Sequence, residues 1–178
     1  MNTQPPPGWH DEQIRLAESD PAWPASFQAE SSLLDAAIGA WITGGIHHVG
    51  STAVPDLAAK PIIDILVGVA DLDGSRPCIS LLAPLQYHYA PYRPDVMHWF
   101  CKPDASRRTH HLHLVPTGSQ RYLEELAFRD YLRAHRETAR AYEQLKRELA
   151  DRHRNDREAY TLGKTNFVRK VLARASSE

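Results

Sequence analysis

HHVGSTAVPDLAAKPIIDILVGV, residues 47–69, decides the fold. Its second half, residues 62–69, is an almost unbroken run of apolar, β-branched residues, which suits a central strand buried on both faces. Its first half is a shorter strand, residues 46–49, ending in the turn Gly50-Ser51-Thr52. Residues 54–60 then have room for one helical turn, with Pro55 near its start and Pro61 closing it.

Upstream, Phe27, Leu33, Leu34, Ala37, Ile38 and Trp41 recur at helical spacing and predict a helix over residues 24–42, stopped by Gly44-Gly45. Downstream, residues 71–74 read as a loop, 79–85 as helix, 87–92 and 96–101 as strands, 104–108 as a turn and 109–115 as a further strand. The chain breaks at residues 116–119, and everything beyond carries helical periodicity: Leu123, Leu126, Ala127, Tyr131 and Leu132, then Ala139, Tyr142, Leu145 and Leu149 after a bend near His135, then a last helix over residues 156–173. The expected class is α+β, a mixed β-sheet flanked by helices with a C-terminal helical part. One domain over residues 14–175 is expected behind an N-terminal tail, residues 1–13.

The chain has 178 residues, enough for one domain with a proper core. No apolar run approaches the roughly 20 residues that span a bilayer. The opening, MNTQPPPGWHDEQ, lacks a cationic start followed by an apolar block, so a cytoplasmic location is expected. Cys78 and Cys101 have no CxxC spacing and read as reduced thiols. Net charge is −1 but uneven: residues 1–100 hold four Lys/Arg against eleven Asp/Glu, and residues 101–178 hold seventeen against eleven. A cationic C-terminal half is suited to neutralise an anionic ligand held by the other half. The pI of 6.8 argues against a nucleic-acid partner.

Two features carry chemistry. The Gly50-Ser51-Thr52 turn offers unpaired backbone N–H groups, close approach at Gly50 and two hydroxyls, which fits either a phosphate site or a plain N-cap. Asp64 is a lone carboxylate in an apolar run; it needs a metal, several donors, or a cation such as Lys60. His111 and His113 share a strand face. Should their strand lie beside that of Asp64, two imidazoles and a carboxylate converge, with His48 as a fourth candidate ligand for a divalent metal; a polar strand face is the alternative. Arg129 and Arg133, at i, i+4, present forks for a phosphate or for nearby carboxylates.

Residues 47–69 closely resemble the GrpB family pattern, in which a His-Ile/Val-Gly-Ser-Thr turn leads to Val-Pro-Gly-Leu, Ala-Lys-Pro and Ile-Asp-Ile. His111-Leu112-His113-Leu114-Val115 matches the family's HLHxV strand, and residues 128–133 match its FRDYLR helix. Tyr142, Lys146, Tyr160 and Lys164 fall where the family places later Tyr and Lys residues, so the resemblance runs from about Ile14 to Leu172. It implies a nucleotidyltransferase-superfamily fold, in which a Gly-Ser turn holds nucleotide phosphates and a strand with Asp-x-Asp/Glu holds divalent metal. Carried over, Gly50, Ser51, Thr52, Lys60, Arg129, Arg133, Lys146 and Lys164 are expected phosphate contacts. Asp64 is the expected catalytic and metal-binding acid, with Mg, Mn or Zn as the ion. The expected function is binding of a nucleotide or phosphorylated small metabolite with nucleotidyl or phosphoryl transfer. The alternative is a non-catalytic accessory module, for example in coenzyme A metabolism, since some relatives are appended to a dephospho-coenzyme A kinase. Two departures matter. Leu66 stands where the second acid belongs, and Asp56 stands where the family usually has Gly. A P-loop kinase is set aside because GxxxxGK[ST] is absent.

Overall fold

The partners of Asp64 follow from its place in a five-stranded sheet. A computed structural model describes residues 13–177. The expected N-terminal tail falls outside these residues, Gln13 apart. The strands are β1 (Ile42–Val49), β2 (Ile63–Val69), β3 (His88–Ala90), β4 (His98–Pro103) and β5 (Arg108–Pro116), in the order β1-β2-β5-β4-β3. β2 and β5 run parallel, and the other pairs are antiparallel. The α-helices are α1 (Trp23–Ile38), α2 (Cys78–Leu81), α3 (Gln120–Ala134), α4 (Arg136–Arg152), α5 (Arg157–Gly163) and α6 (Thr165–Ala175). This is the expected α+β class, a mixed sheet with a C-terminal helical part.

Both faces of the sheet are covered, which is why β2 reads as a continuous apolar run. Ile63, Ile65, Val67 and Val69 pack with Leu112, Leu114 and Phe100 against Trp23, Leu34 and Ile38 of α1 and Cys78 of α2. On the opposite face Leu66, Trp99, Cys101 and Val115 pack with Val49 and with Tyr122 of α3. The later helices bury Leu132, Ala139 and Tyr142 against Val54 and Leu57, so the segment after the turn is clamped by the C-terminal part. Cys78 and Cys101 are both free and buried.

Several expected boundaries move. The first helix ends at Ile38, followed by a 3-10 turn at Gly39–Trp41. Gly44 and Gly45 therefore do not stop a helix. They lie inside β1, where the pairing slips between Ile42 and Ile46 and Gly45 takes φ +82°. Such a bulge needs residues tolerant of left-handed backbone. The single helical turn expected over residues 54–60 is instead a 3-10 turn at Ser51–Ala53. Residues 57–60 form no helical turn, and Ala59 is bridged to Ala17. The last helix divides into α5 and α6 at Lys164. Asp56 takes φ +59°, the region that favours glycine, and its carboxylate faces Arg136 at the surface, 3.7 Å away, rather than the turn.

The close approach of β2 to the β1 bulge makes a prediction. A Cβ on Gly68 would lie 2.6 Å from the Gly44 Cα and 2.7 Å from the Thr117 hydroxyl. Gly68→Ala is expected to lower unfolding stability by about 1–3 kcal/mol, typical of overpacking. Urea denaturation with an unchanged midpoint would contradict that packing.

Candidate functional site

The parallel register of β2 and β5 sets Asp64 beside His111 and Leu66 beside His113. The two histidines therefore share the α3-facing side of the sheet with Asp64, as the i, i+2 spacing predicts. Asp64 Oδ1 and His111 Nδ1 are 2.9 Å apart. Burial opposes the carboxylate's charge, yet the His111 hydrogen bond, and then the nearby His111, His113 and Lys164 side chains, hold the Asp64 carboxyl below the usual range. The opposite ring nitrogen, His111 Nε2, is buried with no partner among the described residues. Leaving such a group unmet costs roughly 1–3 kcal/mol.

The turn is fitted to this pair. Gly50 has φ +71°, and a Cβ there would run into the Asp64 carboxylate. Glycine is thus required twice, by backbone conformation and by the acid packed upon it. Ser51 lies within hydrogen-bonding reach of the buried Tyr142 phenol of α4. Thr52 is buried and turns away, bonding His48 Nε2 at 2.9 Å and the Ile62 carbonyl at 3.2 Å.

The four-residue metal set is not gathered. His48 pairs in register with Ile65, so it faces the other side of the sheet from Asp64. There it stacks on Phe27 at 4.9 Å, and burial pushes it down to about 4. His113 Nδ1 is 3.2 Å from Glu125 Oε1 of α3, not bonded to Asp64. Among the described residues no group of three or more His, Cys, Asp or Glu is placed to hold a metal ion. Leu66, at the second acid's position, is fully buried. The residues present do not fit a shared divalent ion.

The cations divide into two roles. Arg129 bonds the His48 carbonyl at 3.1 Å and chelates Asp130; Arg133 donates to the Ala53 carbonyl at 2.8 Å. Both tie α3 to the turn from outside. Lys146, 2% exposed, donates to the Ala58 carbonyl and lies 5.0 Å from the Tyr142 ring. Burial, then the charge of Lys164, pushes it down to about 7. Lys164 sits over the Tyr160 ring at 4.4 Å. Burial pushes it down to about 8, with Asp64 opposing and with Lys60 and Arg157 adding to the fall. Lys164, from the C-terminal part, thus comes near both Asp64 and Lys60. Sequence reasoning missed Glu125, Trp99 and Arg157. The Trp99 ring is 5.2 Å from that of His111 and 6.0 Å from the Arg157 guanidinium. Nothing in their local sequence marks them, because strand register brings in Trp99 and helix packing brings in Glu125 and Arg157.

A family model described as "GrpB protein" matches residues 13–174. The chain belongs to the GrpB family. A UPF0157 protein of Pseudomonas aeruginosa is 42% identical over 171 residues, covering 93% of this chain and 69% of that protein. A glutamate-rich protein GrpB of Alkalihalophilus pseudofirmus is 35% identical, covering 90% and 94%. The crystal structure of a conserved GrpB protein from Enterococcus faecalis superposes with a TM-score of 0.82 at 32% identity, over 90% of this chain and 96% of that one. A dephospho-CoA kinase of Mycolicibacterium paratuberculosis is 28% identical, matching 91% of this chain but 46% of the kinase. This GrpB chain thus shares its α+β fold with a solved relative. Among the described residues no helix is long and apolar enough to cross a membrane.

The buried lysine gives this GrpB site a pH signature. Lys146 has an unfolded value near 10.5 and a folded one near 7. Between them the unfolded chain binds more protons, so stability rises with pH across that window and is flat below it. Lys146→Met is expected to make this rise shallower in denaturant unfolding measured between pH 7 and 10. An unchanged slope would show that Lys146 is not desolvated.

Proposed function

We propose that this GrpB-family protein binds a phosphorylated small molecule, a nucleotide or a coenzyme A precursor, between the Gly50-Ser51 turn and the C-terminal lysines. One observation carries the reading. Two desolvated lysines, Lys146 and Lys164, lie near enough for the charge of Lys164 to disfavour that of Lys146, and Lys164 lies in the field of a single carboxylate, Asp64, that is already tied to His111. Cations taken out of water call for anionic charge, and a phosphate brings it with acceptors for the lysine donors, the Ser51 hydroxyl and the turn's N–H groups. The charge difference between the two halves of the chain fits the same ligand. Arg129 and Arg133 shape the turn and do not contact it.

A second reading, a ligand-holding module without metal-dependent transfer, is favoured by Leu66. Two-metal phosphoryl chemistry needs acidic oxygens for both ions, and this position is apolar and fully buried. The likeness to part of a dephospho-CoA kinase places coenzyme A precursors among the ligands to try.

Thermal-shift and calorimetric titration with ATP, coenzyme A, its phosphorylated precursors and pyrophosphate, each with and without Mg²⁺, Mn²⁺ or Zn²⁺, tests this. At least one phosphorylated compound is expected to stabilise the protein, and Lys164→Met to weaken its binding about tenfold, roughly 1.4 kcal/mol. Silence across the panel, or an unchanged Kd in Lys164→Met, contradicts the proposal.

A further inference from the structure

The Asp64–His111 pair has a polarity that metal ligation leaves unused. We infer that His111 is the proton-transferring residue of this site, held by Asp64 with its Nδ1 protonated and its Nε2 bare. Asp64 is then a positioning residue and not a metal ligand. The inference rests on the proposed phosphorylated ligand for what His111 acts upon, and on the structure alone for its state.

Geometry carries it. A carboxylate only accepts, so at 2.9 Å from Asp64 Oδ1 the Nδ1 atom must donate. The neutral ring then has its lone pair at Nε2. That atom is buried and has no hydrogen-bond partner among the described residues. Buried ring nitrogens are ordinarily hydrogen-bonded, as His48 Nε2 is to the Thr52 hydroxyl. His98 Nδ1 is also unmet among the described residues, but the other nitrogen of that ring bonds the Leu72 carbonyl and not a carboxylate. The ring cannot swing freely. Its neighbours in register are Asp64 on one side and Cys101 on the other, and the Trp99 ring lies 5.2 Å away at 46°. A carboxylate at Nδ1 fixes tautomer and orientation and stabilises the imidazolium that forms when Nε2 takes a proton.

The step follows. Nε2 takes the proton of a water or ligand hydroxyl that attacks the bound phosphoryl group. The O–H electron pair stays on the oxygen, which bonds to phosphorus. The bond to the leaving oxygen breaks with its own pair, and the imidazolium returns the proton to that oxygen. Lys164 faces the charge of the transferred group. Other ionisable groups around the ring are His110 and His113 on β5, Glu125 of α3 through His113, Cys101 on β4, Tyr142 on α4 and Arg157 on α5. This arrangement requires no second acid, in keeping with Leu66.

Long-range ¹H–¹⁵N correlation of ligand-free protein reads the tautomer directly, with the His111 signals identified by their loss in His111→Gln or, should that variant not fold, by side-chain assignment of the wild type. Neutral His111 is expected to show a protonated Nδ1 and a bare Nε2. Asp64→Asn and Asp64→Ala are expected to shift it towards the Nε2–H form. Adding pyrophosphate is expected to move both the His111 Nε2 and the Lys164 Nζ resonances. An Nε2–H tautomer in the wild type overturns the inference, as does pyrophosphate moving Lys164 while His111 Nε2 stays still. If neither resonance moves, the phosphate reading fails instead, and the tautomer alone decides the state of His111.

Discussion

Parallel pairing of β2 with β5 is the constraint on which the site depends. A slip of one residue turns a strand's side chains to the opposite face. Asp64 would then turn to the α1 side, towards Leu112 and Leu114 and away from His111 and His113. The register that prevents this is set by apolar residues: Ile63, Ile65 and Val67 on one face, and Leu66 with Val115 on the other. Burial on both faces thus fixes a polar contact, and the polar contact fixes the turn, because the Asp64 carboxylate occupies the space a side chain at residue 50 would need.

The C-terminal helices complete this arrangement from outside. Arg129 and Arg133 hold the carbonyls of His48 and Ala53. Lys146 holds that of Ala58, whose N–H is taken by Glu143 at 3.0 Å. The irregular segment between β1 and β2 has few backbone partners of its own, and α3 and α4 supply them. This explains why so much of the positive charge lies after residue 100. Part of it binds the backbone of the N-terminal half, part forms bridges such as Arg147 to Glu18 at 2.8 Å, and Lys164 is left facing Asp64.

Much of the fold was legible from residues 47–69, since an apolar β-branched run between turn residues has few alternatives and the histidine strand announces itself by alternation. Asp64, His111 and His113 were readable as one face once the strands were paired. What was hidden depends on contacts distant in sequence. His48 looks like a ligand beside the glycine turn, but alternation along β1 turns it to the opposite face. Glu125 is one of several helix-surface acids until α3 lies over β5. The paired glycines at 44 and 45 look like a helix stop and are a strand bulge, because local composition does not distinguish the two. Asp56 illustrates the reverse, an unusual residue whose positive φ explains why glycine is usual there.

The Asp64–His111 pair and the lysines make one arrangement: an acid spent on a histidine, and cations left for an anion. A crystal structure of the protein soaked with pyrophosphate tests that directly. We predict phosphate density touching the Ser51 hydroxyl and Lys164, with Asp64 still bonded to His111 Nδ1 and no ion between them. Density elsewhere on the surface, or a metal bound by Asp64 in place of the His111 contact, would contradict it.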